Sequence, residues 1–227
     1  AALCGLGVLA AYFPAQWAAR LAAPDSLPAE ANISGTIWNG QVSGLAPAGP
    51  IDFHIMPKNL FGEKPLLSLE SHAAGFSASI DARANSILKA NVSGRIDTFS
   101  HMNKLLAGLN GGFDLRINGL EIDGDKCVID TGQVSTDVLT QNIRVWSWSG
   151  PALAGPVSCD GNQIVLNLAG DDGKTSVNAI MRIGLDGLYT SHVTVQSRDN
   201  NLGLFLPLYG FEKTANGYSL KEMGKWR

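Results

Sequence analysis

Charge is the first shortage in this chain. Asp, Glu, Lys and Arg supply 16% of the 227 residues, against roughly 25% in an ordinary soluble domain. No Lys/Arg block occurs and the formal net charge is −3, so the basic face needed for nucleic-acid binding is missing. Cysteine is scarce too. The three are Cys4, Cys127 and Cys159, none with a His or second Cys at ligand spacing, which argues against a zinc module. There is no GxSxG, HExxH, Walker loop or CxxC, so catalysis has no motif to stand on. Long disorder is excluded by a 45% hydrophobic content that is evenly spread.

Glycine, by contrast, is abundant, with 26 positions. Gly, Asn, Ser and Thr punctuate the chain at the roughly 8–12-residue rhythm of many short strands. Strict alternation runs through Ile51–Met56, Leu88–Ile96, Phe113–Asn118 and Tyr189–Ser197, the mark of antiparallel strands with one wet face. Asp160-Gly161-Asn162 and Asp171-Asp172-Gly173 read as hairpin turns. Two stretches change period. Thr98–Asn110 places Phe99, Met102, Leu105, Leu106 and Leu109 at helical spacing and ends on Gly111-Gly112. Asn201–Gly210 is a second helix candidate, with Pro207 near its end. Gly44–Pro50 and Gly150–Pro156 read as rigid loops between strands. The expected fold is therefore all-β, mainly antiparallel, an elongated curved sheet with one or two short helices. Leu88–Leu120 and Leu188–Leu220 share a strand, helix, turn and strand order, which suggests two similar halves, 30–120 and 121–227.

The first thirty residues stand apart. Ala1–Phe13 carries no charge, and Pro14 is followed by a stretch broken only by Gln16 and Arg20. With Tyr12, Trp17 and Arg20 placed as an interfacial belt, residues 1–23 read as a transmembrane signal-anchor helix and 24–227 as the exported domain. A cleaved signal peptide ending among Ala18, Ala19, Ala22 and Ala23, or a buried helix, are the competing readings. Leu3 before Cys4 disfavours a lipoprotein.

The candidate chemistry is sparse. Cys127 and Cys159 sit in predicted extended structure and are either buried thiols or, in an oxidising compartment, a disulfide. His54, His72, His101 and His192 are scattered. Glu121 and Asp123 alternate on one short strand, as a solvated face would, and Asp171-Asp172 is explained by its turn. Neither a catalytic residue nor a cofactor or metal site is expected. The bulky features are Trp38, Trp146 and Trp148. On a strand Trp146 and Trp148 share one face, as inter-strand packing or as an apolar contact surface.

Short motifs point to a family. Leu27-Pro28 and Ser34-Gly35-Thr36-Ile37-Trp38-Asn39-Gly40, then Pro57-Lys58-Asn59-Leu60-Phe61-Gly62, resemble the signatures of the type II secretion system protein N family. Trp148-Ser149-Gly150, Gly155 to Cys159, Leu166 to Gly170, Gly187-Leu188-Tyr189 and the tail from Leu206 to Trp226 are similar to its downstream half. A Trp expected before the Pro57 turn is absent; His54 and Met56 stand there. The resemblance implies a single-pass inner-membrane protein with a periplasmic β-rich domain. It would be an accessory in the export of folded proteins across the outer membrane, touching inner- and outer-membrane components of that machinery. It also favours the Cys127–Cys159 disulfide, and it brings no catalytic residues. Gly35, Trp38 and Gly40 are the expected hairpin motif. The alternative function is a periplasmic lipid- or hydrophobe-binding module with an open β groove.

Overall fold

The computed structural model describes residues 13–17, 31–45, 48–83, 85–99, 108–146, 148–199 and 202–225, without the side chains of 99, 145 and 146. These residues form antiparallel β-sheet with a few short helical turns. The all-β expectation therefore holds. Two compact units divide the chain, Ala1–Val92 and Ser93–Arg227.

Unit 1 is a meander of β1 (Asn32–Gly35), β2 (Asn39–Ser43), β3 (Ile51–Ile55), β4 (Leu67–Ala73) and β5 (Phe76–Arg83). Each strand pairs antiparallel with the next. The alternation read from sequence is visible in β3, where Ile51, Phe53 and Ile55 are half-buried and Asp52 and His54 exposed. A 3-10 turn, Pro57–Asn59, follows β3. Its buried Asn59 amide donates to the Pro65 carbonyl at 2.7 Å, which closes the loop from inside. The unit boundary falls within β6 (Ser86–Arg95).

Unit 2 holds β7 (Gly112–Asp123), β8 (Lys126–Thr136), β9 (Leu153–Asp160), β10 (Gln163–Asp171), β11 (Thr175–Gly184), β12 (Leu188–Ser197), β13 (Glu212–Thr214) and β14 (Gly217–Lys225). Their order is β7-β8-β9-β10-β11-β12-β14-β13. The inversion at the end arises because the chain leaves β12 through a helical run and only then forms the β13–β14 hairpin. The two hairpin turns read from sequence are present. Gly161 and Gly173 have φ of 62° and 82°, and the Asp172 carboxylate accepts from the Lys174 and Thr175 amides at 2.9 and 2.7 Å.

Two expectations are corrected. Residues around Trp146 are not a strand: α1 (Val138–Gln141) and α2 (Ile143–Trp146) stand there, so Trp146 and Trp148 do not share a strand face. The side chain of Asn142, 1% exposed, donates to the Asn110 and Val138 carbonyls and accepts from the Asn110 amide. These side-chain bonds compete with a ladder and wind the segment. Nor is Gly150–Pro156 all loop, since β9 begins at Leu153. Leu153 and Val157 are buried while Ala154 and Pro156 are exposed. The β9–β10 pairing passes from Leu166↔Val157 to Ala169↔Ala154, and the interruption at Gly155 and Pro156 accommodates a residue without an amide hydrogen.

The helix expected over Thr98–Asn110 lies outside the described residues for 100–107; its start is a 3-10 turn, Ile96–Phe99. The anchor expected over 1–23 also lies outside them, apart from 13–17. Among the described residues no helix is long and apolar enough to cross a membrane.

Candidate functional site: an apolar groove in unit 2

The groove grows from the alternation of three neighbouring strands. Register sets Val177 of β11 opposite Val195 of β12, which in turn faces Tyr218 of β14. One pleat along, Ala179, Val193 and Leu220 form the next row, and Met181, Ser191 and Glu222 the next. Side chains of facing residues share a face, so these rows make an apolar floor that turns polar at Ser191 and Glu222.

The roof is the segment after β12. Leu202–Phe205 (α3) runs into a 3-10 turn, Leu206–Tyr209, and ends on Gly210 at φ 84°. This matches the second helix read from sequence. Leu202, Phe205, Leu206 and Tyr209 are spaced i, i+3, i+4 and i+7 and all line the groove. Leu202 is 2% exposed and forms a buried cluster with Leu153, Val177 and Val195. The other face of the same turns leaves Leu204 and Leu208 73% and 79% exposed. A polar clasp fixes the entry. Buried Thr175 shares a 2.7 Å hydrogen bond with Ser197, whose hydroxyl accepts from the Asp199 amide; the Leu202 amide then donates to the Asp199 carbonyl.

Leu139 and Trp148 complete the lining, and two glycines leave room, one beside Trp148 and Leu139 and the other beside Ala152 and Leu153. A Cβ on Gly150 would lie 2.3 Å from the Trp148 ring, and one on Gly170 2.2 Å from the Ala152 carbonyl and 2.9 Å from Leu153. The resulting cavity is about 340 Å³ and opens to solvent, and among the described residues Glu222 is the one charged group in its lining. That volume sits at the small end of ligand pockets, roughly 300–1,000 Å³. It accepts an apolar group, and among the described residues its lining holds no cluster of acids or bases.

The residues singled out from sequence fall in different places. Gly35 and Gly40 face each other at the tip of the β1–β2 hairpin in unit 1. Gly35 adopts φ 91°, and the Thr36 hydroxyl accepts from the Trp38 and Asn39 amides. Trp38 is half-buried there, and its carbonyl accepts from the Ile55 amide at 2.7 Å. Trp148 belongs to the groove; the Trp146 side chain lies outside the described residues. Cys127 and Cys159 form a disulfide between β8 and β9, with Cα atoms 5.7 Å apart.

Glu121 and Asp123 are both exposed on one face of β7. His54 bonds Asn39, His72 lies 3.9 Å from Glu70, and His192 bonds Ser219, while His101 lies outside the described residues. Asp172 is held below the usual carboxylate range by the Thr175 and then the Lys174 amides, and Asp97 by Arg95; neither lines the groove. Among the described residues no group of acids, histidines and cysteines could hold a metal ion. The sequence marks Trp148 and the helix and allows an open β groove, but the residues of its floor are legible there only as separate strands, because strand register is what sets them side by side.

Searches of curated proteins and of solved structures return no match. The family model described as type II secretion system (T2SS), protein N, matches residues 30–221. That range takes in the Gly35–Gly40 hairpin and the whole groove but for Glu222 at its lip, and the chain belongs to the type II secretion system protein N family.

Proposed function

We propose that the chain, an accessory component of type II secretion, is held in the bacterial inner membrane by residues 1–23, with 24–227 in the periplasm, and that it works by contact. The observation that carries the reading is the apolar groove together with Leu204 and Leu208, which stand beside it in solvent. Exposed leucines next to an apolar cavity are what an interaction surface presents before its partner arrives. A neighbouring secretion component would lay apolar side chains against this surface, and no chemistry is required of it.

The test is complementation of a deletion strain. The wild-type chain should restore export, while Leu204→Glu with Leu208→Glu should leave exported enzymes in the periplasm at normal levels of the protein. Full export by the double variant would sink the reading.

A second reading has its own observation. The cavity volume of about 340 Å³ would hold part of an acyl chain, as a periplasmic hydrophobe-binding module requires. Native mass spectrometry of the detergent-extracted chain decides it: co-purified lipid lost in a Val193→Phe variant supports the carrier, and an apo mass for the wild type counts against it.

A further inference from the structure

We infer that the outer edge of β14, residues 220–225, is a strand-addition site for an extended peptide of a partner protein, one that carries two acidic residues four positions apart with an apolar residue midway. The inference rests on the contact reading above and names the chemistry of the partner.

The edge is long and open. On its inner side β14 pairs with β12 from Tyr218 to Lys225. On its outer side β13 reaches only Gly217, Tyr218 and Ser219. Beyond Ser219 no described strand pairs with the outer side, so alternate backbone amides and carbonyls of residues 220–225 face outward. The free stretch also borders two hollows. Leu220 and Glu222 line the apolar groove on one face. Lys221 and Met223 line a second hollow of about 380 Å³ on the other, with Arg182 and His192. An added strand would set its side chains alternately over each.

Charge selects the occupant. A second copy pairing antiparallel must bring residues of equal parity face to face, since facing side chains share a face and outward hydrogen-bonding groups alternate. Centring such a pair on Met223 puts Lys221 against Lys225; centring it on Glu222 puts that carboxylate against itself. Like charges directly opposite are destabilising, so the registers that use most of the edge favour an acidic strand over a copy of this chain. The same lysines attract a strand with acidic residues opposite Lys221 and Lys225. Between them Met223, 84% exposed, offers its side chain to an apolar residue. The Arg182 guanidinium is already engaged by Asp160 at 2.9 Å, which among the described residues of this edge leaves Lys221 and Lys225 as the cations that read the partner. Because the acidic, apolar, acidic pattern is symmetric, it suits a parallel or an antiparallel addition.

The test uses the full chain and two labelled nine-residue peptides. One has glutamates four apart with a valine midway; the other has lysines at the same places. Fluorescence anisotropy at low salt should show the glutamate peptide binding about tenfold or more tightly, two charge pairings turning from attraction to repulsion between the two. In Lys221→Glu with Lys225→Glu the preference should invert; both side chains lie on exposed residues, and retained circular dichroism would show that the fold is kept. Hydrogen exchange at residues 220–225 should slow when the preferred peptide is present. Binding of neither peptide to the wild type, or a preference that survives the charge reversal, overturns the inference. Export by the Leu204 and Leu208 variant scores the contact reading separately, so this edge can fail while that reading stands.

Discussion

At Gly40 a methyl group has nowhere to go. An added Cβ would lie 2.3 Å from the Ser34 carbonyl and 2.5 Å from the Phe53 ring. Gly35, its cross-strand partner, is constrained differently, by φ 91° and by the Asn39 carbonyl 2.5 Å from any Cβ. Gly40→Ala should therefore cost about 1–3 kcal/mol through overpacking, read as a lower urea midpoint. The hairpin at Asp172 behaves otherwise, because the accepting carboxylate belongs to an exposed residue. Asp172→Ala removes two acceptor bonds worth about 0.5–1 kcal/mol after screening. The carboxyl is held below its ordinary range, so this stabilisation is complete above the unfolded-state value of about 3.9 and fades as pH falls through the lower folded-state value. The difference between wild type and variant in urea titrations should shrink in acid and hold at neutral pH. Both glycines of the first hairpin were legible in sequence, because a turn between alternating residues signals its own geometry. The space around Gly40 was not, since Phe53 comes from the next strand.

The roof of the groove shows what an element contributes. Leu202 is 2% exposed and packs with Leu153, Val177 and Val195, whereas Leu208 projects into solvent. Leu202→Ala should cost about 2–5 kcal/mol and loosen the turns through Tyr209; Leu208→Ala should stay within about 0.5 kcal/mol. Equal losses would mean that the segment does not sit on the sheet as described. The Cys127–Cys159 crosslink spans 32 residues, a loop for which chain entropy gives about 3–4 kcal/mol. Reduction should lower the thermal midpoint measured by circular dichroism, and Cys127→Ser with Cys159→Ser should make the protein indifferent to reductant. The helical period of Leu202, Phe205, Leu206 and Tyr209 was readable because it needs only local spacing. Val145 and Trp146 lie in a helix but resemble a strand in sequence for the same reason: local alternation mimics one, while the deciding bonds run from Asn142 to Asn110, far away in sequence.

Burial across the whole molecule is uneven, and that sets an expectation for its dynamics. Among the described residues the deeply buried apolar side chains of unit 1 are Ala15 and Ala90, both small. Unit 2 holds Ile117, Leu120, Val134, Leu153, Val157, Val165, Val177, Val195 and Leu202 in the same class, together with the disulfide. Opening free energies rise with buried apolar contact, so backbone amides of β11 and β12 should be the last to exchange with deuterium, and those of β1 to β5 should exchange first. Fold class was legible at this scale because alternation and turn spacing are properties of composition along the chain. The division into units was not. Its boundary, Val92 to Ser93, falls inside the continuous strand β6, where no linker of Pro, Gly or charge announces a change. The exchange experiment can locate that boundary without reference to sequence. A step in protection between the two ends of β6 would show that the units open separately. Uniform exchange across β6, with β3 and β4 as slow as β11, would show that they open together and that the contrast in core size is without dynamic consequence.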